Sequence, residues 1–236
     1  MWIKICGVTR DEDVSTVTNS GVDAIGFNFF PDSKRFVSNE RARGLIQLAK
    51  QFSGDASPPD FVGVFVNSKA QTIKTAVLET GINVIQIHGD ETVQQIAEIH
   101  QLCPDIPLIR ALRVNTENSE RLLEETDFLH AEVPLAAILL DPFVPGEFGG
   151  TGKHLDLSIL QAYATKPRPH LILAGGLTPE NAPRIGSHAI VWGIDTASGV
   201  ESSPGIKDAV RVHSFVTNVR RATTQKNCIP RISACR

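Results

Sequence analysis

The first thing missing from the 236-residue sequence is a long apolar run: none approaches the ~20 residues that a membrane-spanning helix needs. The opening MWIKICGVTR has no apolar stretch of secretory-signal length and runs straight into a strand pattern, so neither a leader nor a membrane partner is expected. The four cysteines, Cys6, Cys103, Cys228 and Cys235, have neither metal-ligand spacing nor the density of a disulfide framework. Reduced thiols in a cytoplasmic compartment, and no metal, are the expectation. No basic run or acidic block stands out, and the formal net charge is -3. A nucleic-acid partner is therefore not expected. A phosphorylated ligand is not excluded, because backbone N–H groups bind phosphate without a basic surface.

What is present is a globular composition, 42% hydrophobic and 21% charged. The length suits one α/β barrel and does not demand two domains. Short apolar runs with β character alternate with segments of helical period. The runs are 2–6, 24–29, 61–66, 83–87, 106–112, 135–140, 171–174 and 190–194. Helices are expected after each, at 11–20, 38–52, 69–80, 91–102, 117–127, 154–164, 179–185 and 205–221. Thr178 as cap with Pro179 in the first turn would start the seventh. Runs such as LAAILL and FVGVFV are apolar throughout, as expected where both faces of a parallel strand are buried. An open doubly wound sheet is compatible with the alternation; the count of eight favours closure into a single (β/α)8 TIM barrel over residues 1–221. SGDASPPD at 53–60 reads as a surface insertion. Residues 222–236 are polar, basic and aperiodic, and are expected to form a flexible or loosely attached tail.

In such a barrel, chemistry sits at the C-terminal ends of the strands. Those ends hold Cys6, Asn28 to Arg35, Asn67, His88, Arg110 and Arg113, Asp141, Gly175 and Gly176, and Asp195 to Gly199. The glycines after strands seven and eight let backbone approach an oxyanion closely, and Ser198 adds a hydroxyl donor. Either loop alone is equally well a tight turn, but the two together point to phosphate at Gly175, Gly176, Ser198 and Gly199. Cys6 and Asp141 end strands one and six, so both face the same mouth, as an acid and a base for moving protons would. Taken alone, Cys6 reads more readily as a small buried hydrophobe, and Asp141 as a turn former beside Pro142. Arg35 could clamp a carboxylate or be a solvated surface residue. His88 could bond the substrate or the backbone. Asp195 could bind a substrate hydroxyl or cap a loop.

The order of motifs resembles the phosphoribosylanthranilate isomerases of tryptophan biosynthesis. The segments that carry it are Lys4-Ile5-Cys6-Gly7-Val8-Thr9, Gly26-Phe27 with Ser33-Lys34-Arg35, Val62 to Asn67, Ile85 to Glu91 and Leu140-Asp141 with Gly149 to Lys153. They continue with Leu173 to Asn181, Gly193-Ile194-Asp195 with Ser198 to Glu201, and Pro204 to Asp208. They cover about residues 2–219. The resemblance implies an Amadori rearrangement with Asp141 as general acid, Cys6 as general base and Arg35 on the anthranilate carboxylate. It places Asp195 on sugar hydroxyls and the two glycine loops on phosphate. It implies no cofactor, and the chain would act as a monomer or homodimer. Lys34 stands where the family often has Pro, Pro142 and Pro145 stiffen the loop after strand six, and Leu157 replaces a frequent Trp. A histidine-biosynthesis isomerase would pair Asp residues at strand ends one and five, whereas strand one here ends in Cys. A metal-dependent epimerase would need more ligands than His88. A catalytically silent barrel would have no reason to keep Cys6, Asp141, Arg35 and both loops together.

Overall fold

The eight apolar runs form eight parallel strands hydrogen-bonded in sequence order, the last pairing with the first. A computed structural model of the chain describes residues 1–115, 118–142, 158–224 and 231–234. The strands are β1 (Trp2–Cys6), β2 (Ala24–Asn28), β3 (Asp60–Phe65), β4 (Val84–Ile87), β5 (Leu108–Val114), β6 (Leu135–Pro142), β7 (His170–Leu173) and β8 (Val191–Thr196). The helices between and after them are α1 (Asp11–Asn19), α2 (Asn39–Ser53), α3 (Ala70–Thr80), α4 (Val93–Leu102), α5 (Ser119–Glu132), α6 (Ser158–Ala164), α7 (Ala182–Gly186) and α8 (Ala209–Ala222). Two short antiparallel strands, β9 (Glu201–Ser203) and β10 (Ile206–Lys207), lie between β8 and α8. Closure is what the count of eight implied, and the protein is a (β/α)8 barrel. Among the described residues, no helix is long and apolar enough to cross a membrane.

Strand alternation divides the core in two. Trp2, Val62, Val84, Ile109, Ala137 and Ile172 fill the barrel interior. Ile3, Ile5, Ile25, Ile85, Leu140 and Ile194 point outward to meet Leu45, Ile73, Ile96, Leu123 and Phe215 of the helices. The interior is crowded: a Cβ on Gly193 would stand 2.9 Å from the Trp2 ring, so the glycine makes room for the indole where β8 meets β1.

Several elements depart from the sequence expectation by two residues or more, β5, α7, α8 and α5 most informatively. β5 begins at Leu108, not 106; the Pro107 carbonyl instead accepts from the Ile85 N–H. α7 begins at Ala182, with Pro183 in its first turn and Asn181 preceding it. Thr178 is not its cap, because Asn181 turns back, accepting from the Thr178 N–H at 2.8 Å and donating to the Gly176 carbonyl at 2.9 Å. α8 begins after Asp208, which accepts from the Arg211 N–H, since residues 201–207 form the small hairpin. α5 runs on to Glu132, five residues past its expected end. The expected start of α6 at 154 lies outside the described residues.

The tail was expected to be loosely attached, yet residues 231–234 are packed against the N-terminal end of the barrel. Ile232 is 0% exposed and belongs to the interior cluster with Trp2 and Val62. Asp60 accepts from the Ile232 N–H at 3.0 Å and from the Ser233 hydroxyl, while Arg231 donates to the Ser57 and Pro58 carbonyls. The physical reason is burial of an isoleucine across an open barrel end, which the polar composition of the segment conceals. Truncating Ile232 to Ala should cost about 2–3 kcal/mol, lowering the thermal midpoint by roughly 4–10 °C. Circular dichroism melts check it; an unchanged midpoint means the tail carries no stability.

Candidate active site

Inward-facing positions come every second residue, so Trp2, Lys4 and Cys6 line one ladder up the inside of β1. Lys4 stands in register with Asp195 of β8, and its Nζ donates to Asp195 Oδ2 at 2.8 Å. The lysine side chain is 0% exposed and the aspartate 9%. Burial works against the ammonium, but Asp195 and Cys6 together offset it and Lys4 is held above its ordinary pKa. Burial likewise pushes the Asp195 carboxyl up against the pull of Lys4. Asp195 Oδ1 is buried without a hydrogen-bond partner, which leaves one acceptor for a hydroxyl. Cys6 lies half-buried above this pair. Burial holds its thiol above its ordinary pKa; Lys4 and Lys207 pull it down and Asp195 pushes it up, without reversing the rise.

A second charged group braces the mouth. Arg35 donates from Nε and Nη2 to the two carboxylate oxygens of Glu201, at 2.8 and 2.6 Å. Its stem passes over Gly7, where a Cβ would stand 2.3 Å from Arg35 Cδ; Gly7 also has φ 74°, so both its space and its backbone favour glycine there. Lys207 Nζ donates to Glu201 Oε1 at 2.8 Å, to the Cys6 carbonyl at 2.6 Å and to the Ala197 carbonyl at 3.1 Å. Burial would raise the Glu201 carboxyl, but Arg35 and Lys207 hold it below the usual range. Burial lowers the Lys207 ammonium despite Glu201. Sequence reasoning assigned roles to neither Glu201 nor Lys207. Two charged residues bracketing a short Ser-Ser-Pro-Gly turn after the last strand were the available signal.

On the opposite side, His88 follows β4 and Asp141 ends β6. His88 Nε2 lies 3.6 Å from Asp141 Oδ2. Gln86, two residues back on the same inward face, places its side-chain amide nitrogen 3.0 Å from His88 Nδ1. The loops here are fastened by Glu91, another residue without an assigned role: it accepts from the Asn67 N–H at 2.6 Å, the Gly89 N–H at 3.0 Å and Arg110 Nη1 at 2.9 Å. The segment Gly149 to Lys153 and Leu157 lie outside the described residues.

The two glycine loops are built against each other. Gly175 and Gly176 have φ of 78° and 61°. Thr196 Oγ1 donates to the Leu177 carbonyl at 2.7 Å. A Cβ on Gly199 would stand 1.7 Å from that same carbonyl oxygen, so no larger residue fits without separating the loops. Ser198 opens a single 3-10 turn, Ser198–Val200, on the rim. The structure thus brings Cys6, Asp195, Asp141, His88 and Arg35 to the C-terminal mouth with both glycine loops. Among the described residues no cluster of three or more His, Cys, Asp or Glu side chains could hold a metal.

A closed parallel barrel with acid, thiol and glycine loops gathered at one mouth defines the class as a (β/α)8-barrel enzyme. The comparisons with known proteins then narrow it. A family model described as N-(5'phosphoribosyl)anthranilate (PRA) isomerase matches residues 3–218. A relative from Herminiimonas arsenicoxydans named N-(5'-phosphoribosyl)anthranilate isomerase is 37% identical over 222 residues, covering 93% of both chains. A crystal structure of phosphoribosyl anthranilate isomerase from Thermotoga maritima superposes with a TM-score of 0.79 at 35% identity, covering 94% of this chain and 99% of that one. A further solved structure, 33% identical with a TM-score of 0.74 and covering 94% and 99%, holds reduced 1-(o-carboxyphenylamino)-1-deoxyribulose 5-phosphate. The chain belongs to the N-(5'-phosphoribosyl)anthranilate isomerase family, enzymes of tryptophan biosynthesis.

Because Gly199 abuts the Leu177 carbonyl, Gly199→Ala should spread the two loops. The expected result is a KM for phosphorylated substrate raised at least about tenfold, equivalent to ~1.4 kcal/mol of lost binding, with kcat changed less. Steady-state kinetics on the folded variant decides it; an unchanged KM removes the phosphate role from this loop pair.

Proposed function

We propose that the chain converts N-(5-phosphoribosyl)anthranilate to 1-(2-carboxyphenylamino)-1-deoxyribulose 5-phosphate by an Amadori rearrangement. Asp141 is the general acid and Cys6 the general base. The observation that carries this is the placement of Cys6 and Asp141 on inward positions at the same barrel mouth, with the Lys4–Asp195 pair below.

Asp141 gives its proton to the furanose ring oxygen, the C1–O bond breaks, and the anthranilate nitrogen supplies the electron pair that makes the protonated Schiff base. Cys6 thiolate takes the proton from sugar C2, the C2–H electron pair forms the C1=C2 bond, and the C=N pair returns to nitrogen to give the enolamine. Tautomerisation of the enol carries the carbonyl to C2. Protons are moved and no electrons are gained or lost overall, so the reaction asks for no redox cofactor. His88 Nε2 stands 3.6 Å from Asp141 Oδ2, outside hydrogen-bond range but next to the carboxyl, and its ring is itself held by the Gln86 amide at 3.0 Å.

The remaining groups match the ligand's parts. Asp195 keeps a buried oxygen without a partner and takes sugar hydroxyls. Gly175, Gly176, Ser198 and Gly199 take the phosphate through backbone N–H groups. Arg35 takes the anthranilate carboxylate. The ligand in the related structure carries carboxylate, hydroxyls and phosphate together, which is the set these groups address. The chain acts on this small phosphorylated molecule as a monomer or homodimer, with no nucleic-acid or membrane partner.

The test is the decay of phosphoribosylanthranilate fluorescence, generated in situ. Wild-type protein should accelerate it, and Cys6→Ser and Asp141→Asn should each lose on the order of 10²–10⁴-fold in kcat. Activity with little loss in the variants overturns the acid and base assignments. No acceleration by the folded wild type overturns the activity and leaves a silent barrel.

A further inference from the structure

Lys4 is fully buried, so substrate does not reach it, and the reaction as written gives it no role. We propose that Lys4 is the positioning residue that holds Cys6 in its proton-accepting state, its ammonium serving as counter-ion to the sulfur. This rests on the reading of Cys6 as the base.

Geometry singles out Lys4. It lies two residues before Cys6 on β1, hence on the same inward face. On the neighbouring strand β2, Cys6 is in register with Gly26, which has no side chain to fill the space. A Cβ there would stand 2.7 Å from Cys6 Sγ and 2.9 Å from Lys4 Cε, so the sulfur and the end of the lysine share one hollow. The other nearby cations are committed. Lys207 has its three donors on the Cys6 carbonyl, the Ala197 carbonyl and Glu201. Arg35 holds Glu201 with two of its nitrogens. Lys4 has one donor on Asp195 and two to spare, while the free donors of Arg35 are the ones assigned to the substrate carboxylate.

Charge counting agrees. Nearest Cys6, Lys4, Arg35 and Lys207 supply three positive charges and Asp195 and Glu201 two negative ones; a third carboxyl, Asp13, accepts from the Lys207 backbone N–H further out, and burial pushes it up towards its neutral form. A thiolate makes the cluster neutral, and an uncompensated buried charge is costly. Asp141 and His88 stand on the far side of Asp195, and act on Asp195 with opposite signs. Burial leaves the thiol above its ordinary pKa, and Lys4 is the largest pull against that rise. Removing its charge therefore raises the Cys6 pKa.

The experiment is the pH dependence of Cys6 alkylation by iodoacetamide, read by mass spectrometry of the Cys6 peptide, beside the pH profile of kcat/KM. Lys4→Met should move both limbs up by at least one pH unit, a tenfold slower alkylation at a fixed pH on the limb, with a nearly unchanged plateau. Lys4→Arg should titrate close to wild type. Because Lys4→Met strands Asp195, the paired variant Lys4→Met/Asp195→Asn is measured as well; its alkylation limb should shift in the same direction by less, since Asp195's own upward push is gone. An alkylation limb unmoved in both Met variants, with only a lowered plateau, overturns the proposal and leaves Lys4 as a brace. A shifted alkylation limb with an unshifted kcat/KM limb supports the role of Lys4 on the thiol while removing Cys6 as the base. The two failures are thus distinguishable.

Discussion

Lys4 and Asp195 are 191 positions apart in sequence and meet at 2.8 Å across the one seam that turns a sheet into a barrel. Every other feature of the mouth is placed relative to this junction. A buried ion pair adds little net stability, because desolvating both charges roughly cancels their attraction, whereas stranding one partner costs about 3–5 kcal/mol. Its contribution is therefore to register: a slip of β1 against β8 by one residue would turn Lys4 toward the helix layer and leave Asp195 alone. The pair forbids the slip, and with it any arrangement in which Cys6 leaves the interior.

The second brace depends on the first. Lys207 donates to the Cys6 carbonyl and to the Ala197 carbonyl, so it spans the ends of the same two strands one level higher. Glu201 then joins Lys207 to Arg35, which comes from the loop after β2. Thr196 and Gly199 close the ring by holding the last loop onto the one after β7. From β7 through β8 and β1 to β2 the rim is one continuous hydrogen-bonded arc. Apart from Asp195 Oδ1 and the free edge of Arg35, its polar groups are held by each other before any ligand arrives, which is the condition for a site that needs little reorganisation.

Much of this was legible in the sequence, for a physical reason. Parallel strands buried on both faces leave uniform apolar runs, and the barrel rule then assigns the residue at each run's end to the mouth. Cys6, His88, Asp141 and Asp195 are found that way, and the structure places them together. Pairing is what the sequence withholds. Nothing local to Arg35 says that its guanidinium meets Glu201, 166 positions away, and nothing local to Lys207 says that its donors go to two carbonyls and a carboxylate. The α7 boundary failed for the same reason: Thr178-Pro179 is a sound local start signal, but Asn181 is drawn back to the Gly176 carbonyl by the loop it closes. Ile232 was hidden because one apolar residue in a polar tail has no period to reveal it.

The Arg35–Glu201 contact bears on how a carboxylate ligand would be received. Glu201 occupies Nε and Nη2, which is one complete edge of the guanidinium. An incoming carboxylate would therefore meet the remaining donors, chiefly at Nη1, unless Glu201 withdrew. Withdrawal is opposed by Lys207, which is itself buried and holds Glu201 ionised from the other side. The arginine is thus fixed in orientation by an internal carboxylate and offers only its free edge, with the freedom of a long side chain already lost before binding. On the reading of Arg35 as the carboxylate clamp, Glu201 sets the direction of approach of the aromatic acid while Lys207 keeps Glu201 in place. The same Lys207 that orients the clamp also fixes the backbone of Cys6, so the groups assigned to the two ends of the substrate's reactive half share one anchor.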